Sequence, residues 1–130
     1  MIEPKLIFAV GADAFKKMES DEMAWSLDWE VPKALPYFDG HFPGNPVLPA
    51  VAVIDASVEF LRRALQLENI ELKAIHSAKF VSIIAPGMPV RIDVKSQTLS
   101  HSGKSWNVVW NAPAIGSENS RLLAELSFSV

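Results

Sequence analysis

Cysteine is absent from this 130-residue chain. Its absence excludes a disulfide framework, a thiolate metal site and a cysteine nucleophile. No apolar run reaches the roughly 18 residues that a membrane-spanning helix needs, so no span is expected. A basic surplus is missing as well: 12 Lys and Arg face 15 Asp and Glu, for a net charge of −3. Phosphate neutralisation supplies most non-specific affinity for nucleic acid, so no nucleic-acid partner is expected. The start, Met1-Ile2-Glu3-Pro4-Lys5, lacks the charged-then-apolar layout of a secretory signal, and a cytoplasmic protein is expected. The chain contains no fixed-period repeat, no Gly-rich phosphate loop and no Gly-x-Ser-x-Gly nucleophile elbow.

What is present reads as one globular domain over residues 1–130. Apolar residues make up 49% and charged residues 21%, and a chain of this size buries roughly two-thirds of its unfolded surface. Near the start, Leu6–Val10 reads as a short strand and Asp13–Met18 as a helical turn. Trp25, Leu27, Trp29 and Val31 then alternate with Ser26, Asp28 and Glu30, the period of a half-buried strand. The stretch Pro32–Pro49 holds five of the nine prolines and two of the six glycines, which predicts a stiff loop. From Ala50 the period becomes helical: Val51, Ile54, Val58, Leu61 and Leu65 form one stripe, with Val53 and Phe60 on the opposite face. Pro49 suits the start of that helix. Such a helix is apolar on two sides, so it is wrapped, or it packs on a sheet and on a partner.

Only strand-like segments follow. They lie at about Glu71–Ile84, around Val90–Lys95, around Trp106–Trp110 and at Leu122–Val130, with turns at Pro86-Gly87 and Ser100–Lys104 and a polar loop at Asn111–Ser120. The order predicts an α+β domain, an antiparallel sheet packed on or curled around one long helix.

Two side chains near the loop–helix junction suit acid–base chemistry. His41 sits in the Pro-rich loop, and imidazole is the side chain most easily tuned to take a proton near neutral pH. Asp55 lies in the second turn of a mainly apolar helix, where desolvation favours the protonated carboxyl. A base and an acid of matched strength are what β-elimination of water requires. The helix start offers free backbone N–H groups, and that of Ala50 is placed to polarise a carbonyl. On composition and spacing alone a plainer account is favoured: a loop histidine bonded to backbone and a solvated helical aspartate.

The string Gly40-His41-Phe42-Pro43-Gly44-Asn45-Pro46-Val47-Leu48-Pro49-Ala50, with Asp55 beyond it, resembles the signature of the β-hydroxyacyl-acyl-carrier-protein dehydratases. Ala78-Lys79-Phe80 followed by Pro86-Gly87 resembles that family's next strand. The resemblance is anchored over residues 35–95. It implies the hot-dog fold, a curved antiparallel sheet wrapped around one central helix. It also implies a homodimer, or a higher oligomer of dimers, with tunnels at the subunit interface where His41 of one chain faces Asp55 of the other. In that reading His41 is the base at C2, Asp55 the acid toward the 3-hydroxyl and the Ala50 N–H the oxyanion donor. Phe42, Pro49 and Phe80 are the candidate substrate contacts. The acyl group arrives on the phosphopantetheine of an acyl carrier protein, and no metal or redox cofactor is implied.

The sequence departs from the family pattern at three points. Ala50 replaces a glycine. Glu59 replaces the usual glutamine one turn after the acid, where its charge either favours the protonated form of Asp55 or simply pairs with Arg62 or Arg63. The acid itself is Asp rather than the commoner Glu. Two other readings stay open: an acyl thioesterase with Asp55 as nucleophile or base, and a catalytically weak acyl-binding partner subunit. The tryptophans at 25, 29, 106 and 110 read as core packing around the helix, or as the lining of an acyl tunnel. His76 and His101 have no acidic partner at ligand spacing. Arg62, Arg63, Lys79, Arg91 and Lys95 are either a carrier-protein patch or ordinary solvated surface.

Overall fold

The period-two segments pair into one sheet, and the helical segment packs across it. The computed structural model describes residues 15–17, 23–32, 47–99, 103–113 and 119–130. Strands β1 (Lys16–Lys17) and β2 (Ala24–Glu30) precede helix α1 (Ala50–Ala64). Strands β3 (Ala74–Phe80), β4 (Pro89–Leu99), β5 (Gly103–Ala112) and β6 (Arg121–Ser129) follow it. The spatial order is β1-β2-β4-β5-β6-β3, and every pair is antiparallel. This is the hot-dog fold, an α+β arrangement with, among the described residues, one long helix on the sheet.

The register explains the core. Trp29 opposes Val90, Ile92 opposes Trp110, and Val108 opposes Leu126, so successive cross-strand pairs on one face of the sheet are apolar. That face packs against α1 where Trp29 and Trp110 meet Phe60 of the helix, with ring centroids 5.1–6.0 Å apart, and Phe15 lies edge-on to Phe60. Trp110 and Phe60 are fully buried, and Trp106 is buried as well. Core packing is therefore what these indoles do. A turn at Ala85–Met88 has Pro86 followed by Gly87 at φ 76°, and the Met88 N–H donates to the Ala85 carbonyl at 3.2 Å. Glycine's tolerance of positive φ is what this turn requires. Val31 bonds to both Gly87 and Met88, tying the end of β2 to the start of β4.

Three expectations need correction. Lys16–Lys17 is not part of a helical turn; it is a short edge strand paired with Trp25 and Ser26. Sheet pairing overrides local propensity there. The expected strand Glu71–Ile84 is ordered in the ladder only over Ala74–Phe80. Beyond it, the N–H groups of Val81 and Ser82 both donate to the Leu123 carbonyl, at 2.8 and 3.2 Å. Leu123 is the residue skipped where β5 and β6 change register, and such a bulge re-aims the backbone. Finally, the stripe Val51, Ile54, Val58, Leu61 and Leu65 is buried only in part: Leu61 is fully buried, Ile54, Val58 and Leu65 pack partly buried against the core, and Val51 does not. The buried face runs through Ala52, Val53, Ala56, Ser57, Glu59, Phe60, Leu61 and Ala64, while Val51 is 57% exposed. Small residues let the helix approach the indoles closely. Ser57 fits there because both ends of its hydroxyl are bonded: it donates to the Val53 carbonyl at 2.7 Å and accepts from Trp110 Nε1 at 2.9 Å.

The C-terminus of α1 closes with the Gln66 N–H bonded to the Arg63 carbonyl and the Leu67 N–H to the Arg62 carbonyl, a Schellman motif. Gln66 occupies its left-handed position at φ 57°.

Candidate active site

The N-terminus of α1 opens onto an apolar groove. Val47, Leu48, Ala50 and Val53 form one side, and Phe80 to Ile84 the other. Its volume is about 380 Å³, at the small end of the range for ligand sites. Leu48 N–H donates to the Ile84 carbonyl at 2.8 Å and stitches the two walls together. Ser82 is the one polar side chain among the lining residues.

Pro49 is the N-cap residue, one position before the helix proper, in extended conformation and without a side-chain cap. Its carbonyl accepts from Ala52 and Val53, at 3.0 and 3.2 Å. Among the described residues no acceptor meets the N–H groups of Ala50 and Val51. These two groups therefore carry the positive end of the helix dipole to the groove's rim. Ala50 lies within the helix, and Gln66 is the one described non-glycine residue with positive φ. The Cβ that replaces the family's glycine is thus accommodated without backbone strain.

Asp55 is half-buried in the second turn of α1. One turn on, Glu59 is buried and held by two arginines. Its Oε1 accepts from Arg62 Nη2 at 2.6 Å and from Arg63 Nε at 2.9 Å. Arg62 Nη1 also donates to the Leu67 carbonyl at 2.6 Å. The bond to Glu59 raises the Arg62 pKa above its ordinary value, against a smaller opposing effect of burial. The Glu59 charge is therefore balanced locally by two guanidinium groups. His41 and Phe42 lie outside the described residues.

A family model for ApeI dehydratases, called ApeI-like, matches residues 17–112, from β1 through the loop and α1 to the end of β5. The chain belongs to the ApeI-like dehydratase family. It is similar to the 3-hydroxyacyl-[acyl-carrier-protein] dehydratase FabZ of Pelotomaculum thermopropionicum, at 35% identity over 73% of this chain and 69% of that protein. It is 30% identical to FabZ of Roseobacter denitrificans over 72% of this chain, and the match spans 64% of that relative's length. The ApeI:P dehydratase heterocomplex from Xenorhabdus doucetiae shares the fold, with a TM-score of 0.65 at 19% identity over 86% of this chain and 90% of that one.

In this ApeI-like chain the structure brings Ala50 and Phe80 to the same groove, whereas Pro49 lies between two wall residues without forming a wall itself. Asp55 lies on the same helix, and Glu59 faces its arginines. The groove residues Val47, Val53, Val81, Ser82, Ile83 and Ile84 were not among the expected contacts. One signal for them was available: residues 80–84 read Phe-Val-Ser-Ile-Ile, an apolar run next to the segment already likened to the family's strand. Of the expected surface cations, Arg62 and Arg63 are tied to Glu59, and Arg91 approaches Asp93 at 3.8 Å. His76 is exposed on β3, at the point where its register with β6 shifts. His101 lies outside the described residues. Among the described residues no cluster of His, Asp and Glu could hold a metal ion, and no helix is long and apolar enough to cross a membrane.

Proposed function

We propose that this chain dehydrates 3-hydroxyacyl thioesters, carried on the phosphopantetheine of an acyl carrier protein, to trans-2-enoyl thioesters. The supporting observation is an apolar groove that begins at a helix N-terminus whose first N–H groups meet no acceptor among the described residues, five residues before a half-buried carboxyl, in a member of a dehydratase family. His41 removes the proton at C2, and the electron pair forms the C2–C3 double bond. Asp55, protonated, gives its proton to the 3-hydroxyl as the C3–O bond breaks, and water departs. The Ala50 N–H stabilises negative charge developing on the thioester oxygen. The proton on His41 then returns to Asp55 through solvent, and the enzyme is regenerated.

The active unit in this proposal is a homodimer in which His41 of one copy faces Asp55 of the other. Strand β3 supports that assembly. It is a sheet edge with all seven residues exposed, continued by the exposed Val81 and Ile83. An open apolar edge of this kind is a template for pairing with another strand.

The test is turnover of a 3-hydroxyacyl thioester by the purified protein, followed by enoyl absorbance and by a thiol reagent. Enoyl product without free thiol is expected, and His41→Ala should lower kcat by about 10²–10⁴-fold with the fold intact. Release of thiol without enoyl product, or near-normal turnover by that variant, would refute the proposal.

A further inference from the structure

The groove has a floor as well as walls. Val53 lines it and is only 1% exposed, so its side chain is wedged between the groove and the interior. Val53 is itself part of the buried core, together with Phe60 and Trp110. The Val53 carbonyl accepts from Ser57, Ser57 accepts from the Trp110 indole, and Trp110 packs against Phe60 and Trp29. Ser57, Phe60 and Trp110 are all fully buried. An acyl chain entering at Ala50 therefore finds no path inward between helix and sheet. The opposite wall does not give way easily either, because Leu48 and Ile84 are joined backbone to backbone and Val81 and Ser82 are anchored to Leu123.

We infer that Val53 determines the length of acyl chain this site accepts, by setting the depth of a groove whose walls are fixed. The inference rests on the dehydratase reading for its substrate class. Close-packed surroundings do not collapse to fill a deleted methyl group completely, so a smaller residue deepens the groove. A methylene gained or lost in an apolar site is worth about tenfold or more in discrimination.

The test compares wild type, Val53→Ala and Val53→Leu in the full chain as purified. Two measurements run in parallel: kcat/KM for 3-hydroxyacyl thioesters from butanoyl to decanoyl, and binding of saturated acyl-pantetheine amides of the same lengths. Val53→Ala should raise the long-to-short ratio about tenfold and Val53→Leu should lower it. Thermal melts identify a variant that fails to fold, and the other variant then carries the comparison. A binding-length profile that neither substitution moves would overturn the role of Val53 and leave dehydration standing. A profile that moves with Val53, in a protein that produces no enoyl thioester, supports the role of Val53 and overturns the dehydratase reading alone.

Discussion

Replacing Ser57 with alanine tests whether the helix is keyed to the sheet through a single hydroxyl. Ser57 is fully buried, and the Trp110 indole N–H has its hydroxyl as partner at 2.9 Å. Alanine removes that acceptor from a fully buried indole N–H. A buried donor left without a partner costs about 1–3 kcal/mol. Unfolding entropy near the midpoint is about 2.1 cal/mol/K per residue, or roughly 270 cal/mol/K for a chain of this length. A loss of about 2 kcal/mol therefore lowers Tm by about 7 °C at fixed protein concentration. Trp110→Phe removes the donor but also packing area, so the single variants alone cannot isolate the bond. Measured with Ser57→Ala and the double variant, it closes a cycle whose coupling energy should be about 1–2 kcal/mol. The readout is chemical denaturation with matched m-values. A coupling within about 0.3 kcal/mol of zero would show that the hydroxyl and the indole do not depend on each other.

Two more stability predictions follow from the backbone and the outer face. Gln66 holds a left-handed conformation that glycine adopts freely, so Gln66→Gly should stabilise the fold by about 0.5–1 kcal/mol, read as a raised Tm; a lowered Tm would contradict the Schellman geometry. Burial raises the Asp93 pKa above the usual aspartate range, with Arg91 opposing the shift and Asp28 adding to it. Folded protein then binds this proton more tightly than unfolded protein does, so the group's contribution to stability increases as pH falls from the raised value toward the ordinary one. Asp93→Asn should be more stable than wild type at neutral pH, with the advantage shrinking on acidification; urea midpoints at several pH values would expose an advantage that is flat or reversed.

The sequence made the alternating strands legible because each has one face on the core. Trp25 to Val31 and Val90 to Val94 carry that alternation openly. The start of α1 after Pro49 was legible because a proline-rich loop ended there. The orientation of the helix was not. Hydrophobicity marked two apolar sides, Val51, Ile54, Val58, Leu61 and Leu65 on one and Val53 and Phe60 on the other, whereas close approach to the indoles favours the small residues Ala52, Ala56 and Ser57, and the most deeply buried face runs through these. Nor could the pattern reveal β3 as an edge, since Ile75 and Phe80 look like core residues until the strand order is known. Of the residues singled out in the sequence, Ala50, from the helix start, and Phe80, from the family resemblance, line the groove, while the way the apolar run Val81–Ile84 turns to form a wall depends on a bulge at Leu123 that composition does not reveal.

The bond from Leu48 to Ile84 has a mechanical side. It fastens the residue just ahead of the helix cap to the last residue of the facing wall. A guest too bulky for the cleft would push on that wall, and the strain would pass through one amide to the turn carrying the Ala50 N–H. In the proposed dehydratase, crowding along the hydrocarbon end would thus be felt at the carbonyl end, as a misaligned donor rather than as a simple failure to bind.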